Sequence, residues 1–220
     1  MKRIFNLLFI ACLITYPAQA QTPIAGFVFV NATGLSLPVK LHASDKPLYI
    51  GDGLPTGIAT SGLGLPVGSY TLKATSEGCK PAETLLNISA GKCPTILCFL
   101  SETKDNETGK VQQSLQFMEL PHSPPAESAY VVRFLYLPKQ SGHQTQVPPL
   151  TGKVGDQSVT LKPFEPLKIE ARKTVSFAPT EGGDLETTDL EEPGAYYYLI
   201  FRNADGKLAS TISQDKLYVW

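Results

Sequence analysis

The chain has 220 residues, with 19 Lys and Arg against 20 Asp and Glu, and a formal net charge of −1. That near balance, without any Lys/Arg cluster, excludes the basic footprint of a nucleic-acid binder. The 18 Gly and 18 Pro are spread along the chain rather than gathered in one linker, so they cut it into short segments and argue against long helices.

The first 20 residues read as a secretory signal. Lys2 and Arg3 give a basic start, Ile4 to Ile14 an apolar stretch, and Ala18-Gln19-Ala20 a small-x-small cleavage site, so the mature chain is expected to begin at Gln21. A run of ~11 apolar residues falls short of the ~20 that span a bilayer. A competing reading, a lipoprotein signal ending in Ile10-Ala11-Cys12, leaves an apolar core of only about seven residues. No transmembrane segment is expected in the mature chain. Losing Lys2 and Arg3 leaves 17 of the 19 basic residues against 20 acids, a net charge of about −3.

Short strands follow. Phe27 to Val30 is apolar on both faces, as in a central strand or one covered by a neighbouring domain. Ile50-Gly51-Asp52 reads as a strand end running into a tight turn. In Ser69 to Ala74 the apolar Tyr70, Leu72 and Ala74 share one face and Ser69, Thr71 and Lys73 the other, so the first face goes inward. Thr84, Leu86 and Ile88 repeat the pattern against Asn87 and Ser89. Glu83 to Ser89 is expected to turn at Ala90 to Lys92 and to return as Thr95 to Leu100. On that hairpin, ~3.3 Å per residue carries Cys93 more than ~20 Å from the end where Cys79 enters, whereas the returning strand brings Cys98 back towards it. The expected disulfide is therefore Cys79 with Cys98. Cys12 leaves with the signal, so three cysteines remain and Cys93 is the thiol left over. Glu102 to Lys110 reads as a polar hairpin loop leading into the strand Leu115 to Leu120.

Pro121-His122-Ser123-Pro124-Pro125-Ala126-Glu127-Ser128 is a proline-rich, semi-rigid linker. Beyond it the order of features repeats. Val132, Phe134 and Tyr136 oppose Arg133. Val154-Gly155-Asp156 matches Ile50-Gly51-Asp52, Pro193-Gly194 leads into Tyr196 to Phe201 as Ala90-Gly91-Lys92 leads into Thr95 to Phe99, and Gly206-Lys207-Leu208 leads to Leu217 to Trp220 as Gly109-Lys110-Val111 leads to Leu115 to Leu120. The chain thus reads as one unit written twice, Phe27 to Leu120 and Tyr130 to Trp220. Many short strands between turn signals predict an all-β fold. The expected organisation is two tandem Ig-like/Greek-key β-sandwich domains, 25–120 and 129–220, joined by the linker 121–128 after a cleaved signal at 1–20.

The apolar opening strand, the Gly-Asp turn and Leu65-Pro66-Val67-Gly68-Ser69-Tyr70-Thr71-Leu72 resemble exported bacterial β-sandwich domains that carry a Pro-x-Gly-x-Tyr-x-Leu element, whose turn delivers an aromatic ring onto the core face. The layout of a signal, two such domains and a total near 220 residues is similar to the periplasmic accessory family of alginate O-acetylation, AlgF. The second copy departs from it, with Lys162-Pro163-Phe164-Glu165-Pro166-Leu167 in place of that element. The resemblance implies a non-catalytic role beside polysaccharide-modifying enzymes of the cell envelope.

Chemistry-bearing motifs are sparse. His42, His122 and His143 are far apart, and none has a ligand partner at metal-binding spacing, so no metal site and no cofactor are expected. No Gly-x-Ser-x-Gly elbow occurs, and a thiol nucleophile at Cys93 needs a His from elsewhere in the fold. No catalytic residue is assigned. The acidic run Asp184, Glu186, Asp189, Glu191 and Glu192 lacks the Asp-x-Asp-x-Asp-Gly register of a calcium loop and reads as a solvated face. In Tyr196-Tyr197-Tyr198 the middle ring faces opposite to its neighbours, which packs it in a core or brings it to the surface to stack on a sugar or partner. Asn31, Asn87 and Asn106 head Asn-x-Ser/Thr triplets that matter only in a glycosylating source. The expected function is a non-catalytic binding or scaffold protein, periplasmic or extracellular, with an envelope protein or polysaccharide as partner and no nucleic acid. The competing class is a carboxylate-based, carbohydrate-active enzyme with its site in the second copy, at residues such as Asp184 and Glu186.

Overall fold

The computed structural model describes residues 24–49, 51–104, 107–121, 129–141, 147–171, 173–181, 185 and 187–215. The expected signal at 1–20, residues 122–128 of the expected linker and the segment Leu217 to Trp220 lie outside them. The described residues are all-β. The first half contributes β1 (Ile24–Asn31), β2 (Lys40–Ala43), β3 (Lys46–Pro47), β4 (Leu63–Pro66), β5 (Gly68–Thr75), β6 (Cys79–Lys80), β7 (Ala82–Ile88), β8 (Thr95–Lys104) and β9 (Val111–Leu120). The second contributes β10 (Tyr130–Leu137), β11 (Gln140–Ser141), β12 (Leu150–Val154), β13 (Gln157–Leu161), β14 (Leu167–Ala171), β15 (Thr174–Val175), β16 (Ala178–Pro179), β17 (Thr188–Asp189), β18 (Gly194–Arg202) and β19 (Leu208–Gln214). Among these residues no helix is long and apolar enough to cross a membrane.

Alternation within the strands sorts them into layers. In β5, Leu72 and Ala74 are buried while Ser69 and Thr71 are exposed, as the period-two pattern requires. They join Leu41 of β2 and Leu86 of β7 in a core closed from the other side by Phe27 and Phe29 of β1 and Ile96 and Cys98 of β8. This core separates the sheet β3-β2-β5-β7 from the sheet β4-β1-β8-β9-β6. In the second half Val132, Phe134 and Tyr136 of β10 pack with Leu150, Leu161, Phe177 and Tyr198, between the sheets β14-β10-β18-β19 and β13-β12-β16.

The two sandwiches meet back to back. The other face of β1 and β8, with Val28, Val30, Leu97 and Phe99, packs on Leu135, Leu137, Leu199 and Phe201 of β10 and β18 to form a third core. Four sheets therefore stack with three apolar layers between them, the two-stranded β15-β17 standing apart, and the double-sided apolar runs of the sequence are strand stretches without a solvent face. Phe99 and Phe164 meet across the middle layer with ring centroids 5.2 Å apart. β11 of the second half also pairs in parallel with β8 of the first, Gln140 to Ser101 and Ser141 to Glu102. Gly34, at φ +70°, lies where the halves come closest: any Cβ there would run into the Arg202 carbonyl.

Both halves share one pairing scheme. The opening strand is antiparallel to a short edge strand (β1 with β4, β10 with β14) and parallel to the penultimate long strand (β1 with β8, β10 with β18), which forms a hairpin with the last (β8 with β9, β18 with β19). Gly109 and Gly206, at φ +67° and +78°, turn the two final hairpins. Several sequence matches nevertheless shift. The counterpart of β9 is β19, not Leu217 to Trp220. The turn equivalent to Gly155-Asp156, which joins β12 to β13, is Ser44-Asp45 between β2 and β3, where both residues take positive φ, 44° and 68°. Lys162 to Leu167 does not replace the Pro-x-Gly-x-Tyr element. It leads from β13 to β14 and corresponds to the loop before β4, and each loop bridges to its opening strand, Pro163 to Tyr136 and Ala59 to Val30.

The expected hairpin between Glu83 to Ser89 and Thr95 to Leu100 does not form. β7 pairs with β5 in one sheet and β8 with β1 and β9 in the other, so the chain crosses the sandwich at 89–94.

A shared middle layer predicts that both halves unfold together. We expect a single urea transition by circular dichroism and by tyrosine fluorescence. Phe99→Ala, which removes the ring packed at a tilt against Phe164, should cost about 3–5 kcal/mol and split the transition in two.

Candidate functional site

The sequence-predicted residues fall into three sets. The cysteines come first: Cys79, Cys93 and Cys98, those among the described residues, form no disulfide. Cys98 sits on β8 opposite Phe117, and Cys79 on β6 opposite Gln113, on the two sides of β9. The strand argument for a Cys79–Cys98 bridge rested on a β7–β8 hairpin that does not form, and in this structure both are free cysteines. Burial pushes the Cys98 thiol up, with a smaller push from Cys79, and burial raises Cys79 as well. Cys79 lies 3.8 Å from the Gln113 Oε1. Cys93 is buried at the crossing from β7 to β8.

Tyr196, Tyr197 and Tyr198 are all buried. Tyr196 and Tyr198 enter the second sandwich core, and Tyr197 faces the other way into the middle layer, so the predicted opposition of its ring leads to a second core and not to the surface. Its hydroxyl donates to the Pro121 carbonyl at the start of the linker. The Arg133 guanidinium lies over this ring, 5.4 Å from its centroid, and its Nη1 is 3.7 Å from the Asp215 carboxylate, an ion contact without a hydrogen bond. Burial, with Asp215 adding and Arg133 opposing, pushes the Tyr197 hydroxyl up to about 12.

The polar candidates form the third set. Asp184, Glu186, His122, His143 and Asn106 lie outside the described residues. Asp189 accepts from Thr174 at 3.0 Å, and Glu192 accepts from Gln214 at 3.2 Å. Among the described residues no group of three His, Cys, Asp or Glu side chains is placed to hold a metal ion. His42 is half-buried on β2 between Pro47 and Lys73. Asn31 is fully buried, donating to the Leu54 carbonyl at 2.7 Å and accepting from Thr33, so its triplet is structural.

A feature that the sequence reading missed is a cleft of about 610 Å³ between β7 and β9, lined by Leu85, Asn87, Ser89, Gly91, Lys92, Cys93, Pro94 and Glu119. β7 and β9 belong to opposite sheets and approach each other. β6 covers β9 only at Gln113 and Ser114. Past that point, among the described residues, β9 pairs on one side only, with β8, and β7 pairs only with β5. Two strand edges therefore flank the cleft. Of the other edges, β3, β4 and β16 are short and end in Pro47, Pro66 and Pro179, and β14 carries Lys168 and Glu170, whereas β13 and β19 are open edges without a charge or proline. On β7 the one charge, Glu83, is held by Lys73 at 2.7 Å, and Leu85 stands 66% exposed. The signal in the sequence was Leu85, an apolar residue on the polar phase of an alternating strand.

No protein-family model matches the chain, and no curated protein does.

Two measurements check these assignments. In the native protein iodoacetamide should modify Cys79 first and reach Cys93 and Cys98 only on unfolding, and a non-reduced digest should contain no Cys79–Cys98 link; such a link would displace the β6–β9 register. Because the folded state favours protonated Tyr197, its contribution is fully present below the ~10 of an unfolded tyrosine and is lost as pH rises towards about 12. The urea midpoint should fall across that window, less steeply in Tyr197→Phe.

Proposed function

We propose that the chain is a non-catalytic binding or scaffold protein of the bacterial cell envelope, exported by the signal at 1–20 and acting in the periplasm or outside the cell, where it serves polysaccharide modification or export. In this reading the mature protein is two tandem Ig-like sandwich domains, 25–120 and 129–220, joined by 121–128. The repeated pairing scheme of the two halves supports that division. The AlgF-like layout of the sequence supports the envelope role.

One observation carries the binding role: a cleft lies between two strand edges, those of β7 and β9, with Leu85 exposed beside it. Exposed edges are aggregation hazards that exported β proteins ordinarily blunt, so an unblunted pair beside a cleft fits a surface meant to be covered.

The test is photo-crosslinking in the native cell, with a photoreactive residue at position 85 and a control at Val111, which is 59% exposed at the far end of β9. We expect a mature N-terminus at Gln21, an envelope location, and a discrete adduct with one envelope component from position 85 only. Retention in the cytoplasm with Met1 intact, or the same adducts from both positions, would refute the reading.

A further inference from the structure

The cleft is a slot walled by Leu85, Asn87 and Ser89 of β7 and by Glu119 of β9. β6 already lies where such a chain would lie: Cys79 and Lys80 pair in parallel with Gln113 and Ser114 on the outer edge of β9. At Pro81 the chain leaves that line, and from Ala82 onward it pairs with β5 in the opposite sheet. The edge of β9 from Gln116 to Leu120 is left without the neighbour that its first rungs possess. Facing it across the cleft is the outer edge of β7.

We propose that this slot binds an extended peptide segment of a partner protein by strand addition, the incoming backbone continuing the line of β6 along Gln116 to Leu120. The inference rests on the binding role proposed above and specifies the partner's chemistry. A second copy of this chain is a poorer occupant, because β7 walls the slot on its far side. The edge of another sheet would bring its own neighbouring strands, whereas a single strand enters between the two edges. Main-chain hydrogen bonds to the edge would supply affinity and alternate side chains the selectivity. Leu85 and Pro94 offer apolar contact. Lys92 and Glu119, both exposed, set opposite charges within the cleft, so the segment carries an apolar residue with an acidic residue for Lys92 and a basic one for Glu119.

The experiment screens a displayed library of random dodecapeptides against the purified mature protein, then measures the selected peptides by hydrogen exchange and by affinity. We expect slowed exchange at Gln116 to Leu120. Single N-methylation of the peptide backbone should abolish binding at alternate positions and leave it nearly intact at the positions between, the signature of a strand that faces its partner every second residue. Leu85→Glu and Glu119→Lys should each weaken binding at least about tenfold with an unchanged melting temperature, since both side chains are exposed. Peptides that bind without protecting Gln116 to Leu120, an affinity indifferent to the position of methylation, or no selected peptide at all would overturn strand addition. A position-85 adduct in the cell together with any of those results would leave the binding role standing and remove only this mode. Self-association that protects the same residues would replace the peptide with a second copy and also overturn the proposal.

Discussion

Four strands without a solvent face organise the molecule. β1, β8, β10 and β18 send alternate side chains into a sandwich core on one side and into the middle layer on the other, so nearly every residue along β1, β10 and β18, and along β8 as far as Leu100, is buried. Such strands need backbone partners on both edges, because a buried unpaired amide or carbonyl costs about as much as a lost hydrogen bond. The parallel pairs β1–β8 and β10–β18 lie inside their sheets for that reason, each flanked by antiparallel neighbours. The same constraint explains why the polar residues of these strands are few and tied down. Asn31 satisfies the Leu54 carbonyl and the turn at Thr33, and Arg133 has Asp215 and the Tyr197 ring beside it.

The middle layer also sets how the halves differ. They share a pairing scheme, yet each supplies its own stopper beside its opening strand. The loop before β4 places Ala59 there, and the loop before β14 places Phe164, whose backbone N–H donates to the Tyr136 carbonyl and whose φ of 61° is left-handed. A bulky residue at positive φ is strained and persists only where its surroundings compensate. Here the compensation is the contact with Phe99 across the interface. A repeated fold thus carries a non-repeated pair of surfaces, a small residue on one side and a ring on the other. Gly34 works in the same way, admitting the Arg202 backbone where a side chain would hold the halves apart.

Much of this was legible in the residues. Alternation gave the inward faces of β5, β7 and β10 correctly, and the double-sided runs Phe27 to Val30, Ile96 to Leu100 and Tyr196 to Phe201 are the strands that the middle layer covers. What sequence adjacency could not give is which strands pair. β7 and β8 look like a hairpin because only six residues separate them, but two apolar strands at that spacing can also cross from one sheet to the other, and the hairpin argument for the disulfide lost its basis with it. Matching turns by glycine likewise paired Gly51-Asp52 with Gly155-Asp156. Ser44 and Asp45 make the equivalent turn at positive φ without any glycine, since short polar side chains tolerate that region. The cleft escaped notice because its walls are 30 residues apart in sequence and only the crossing at 89–94 brings them together.

A single proline accounts for the opening. Pro81 has no backbone N–H, so a ladder running along β9 cannot continue through it, and its restricted φ suits a change of direction. The chain uses the break to move from the sheet of β9 to the sheet of β5 within one residue, closing the sandwich at the β6 end and leaving it open at the other. Had β6 run on, β9 would be covered along its length and the sandwich would lose a strand from its outer sheet. The open stretch is therefore the geometric remainder of a strand switch that the core requires, with the packing of Leu86 and Ile88 of β7 against Leu41 and Leu72 holding the switched strand in place. A surface produced in this way is rigid, because the elements on either side of it belong to the buried core, and a rigid edge accepts an extended chain at lower ordering cost than a mobile loop would.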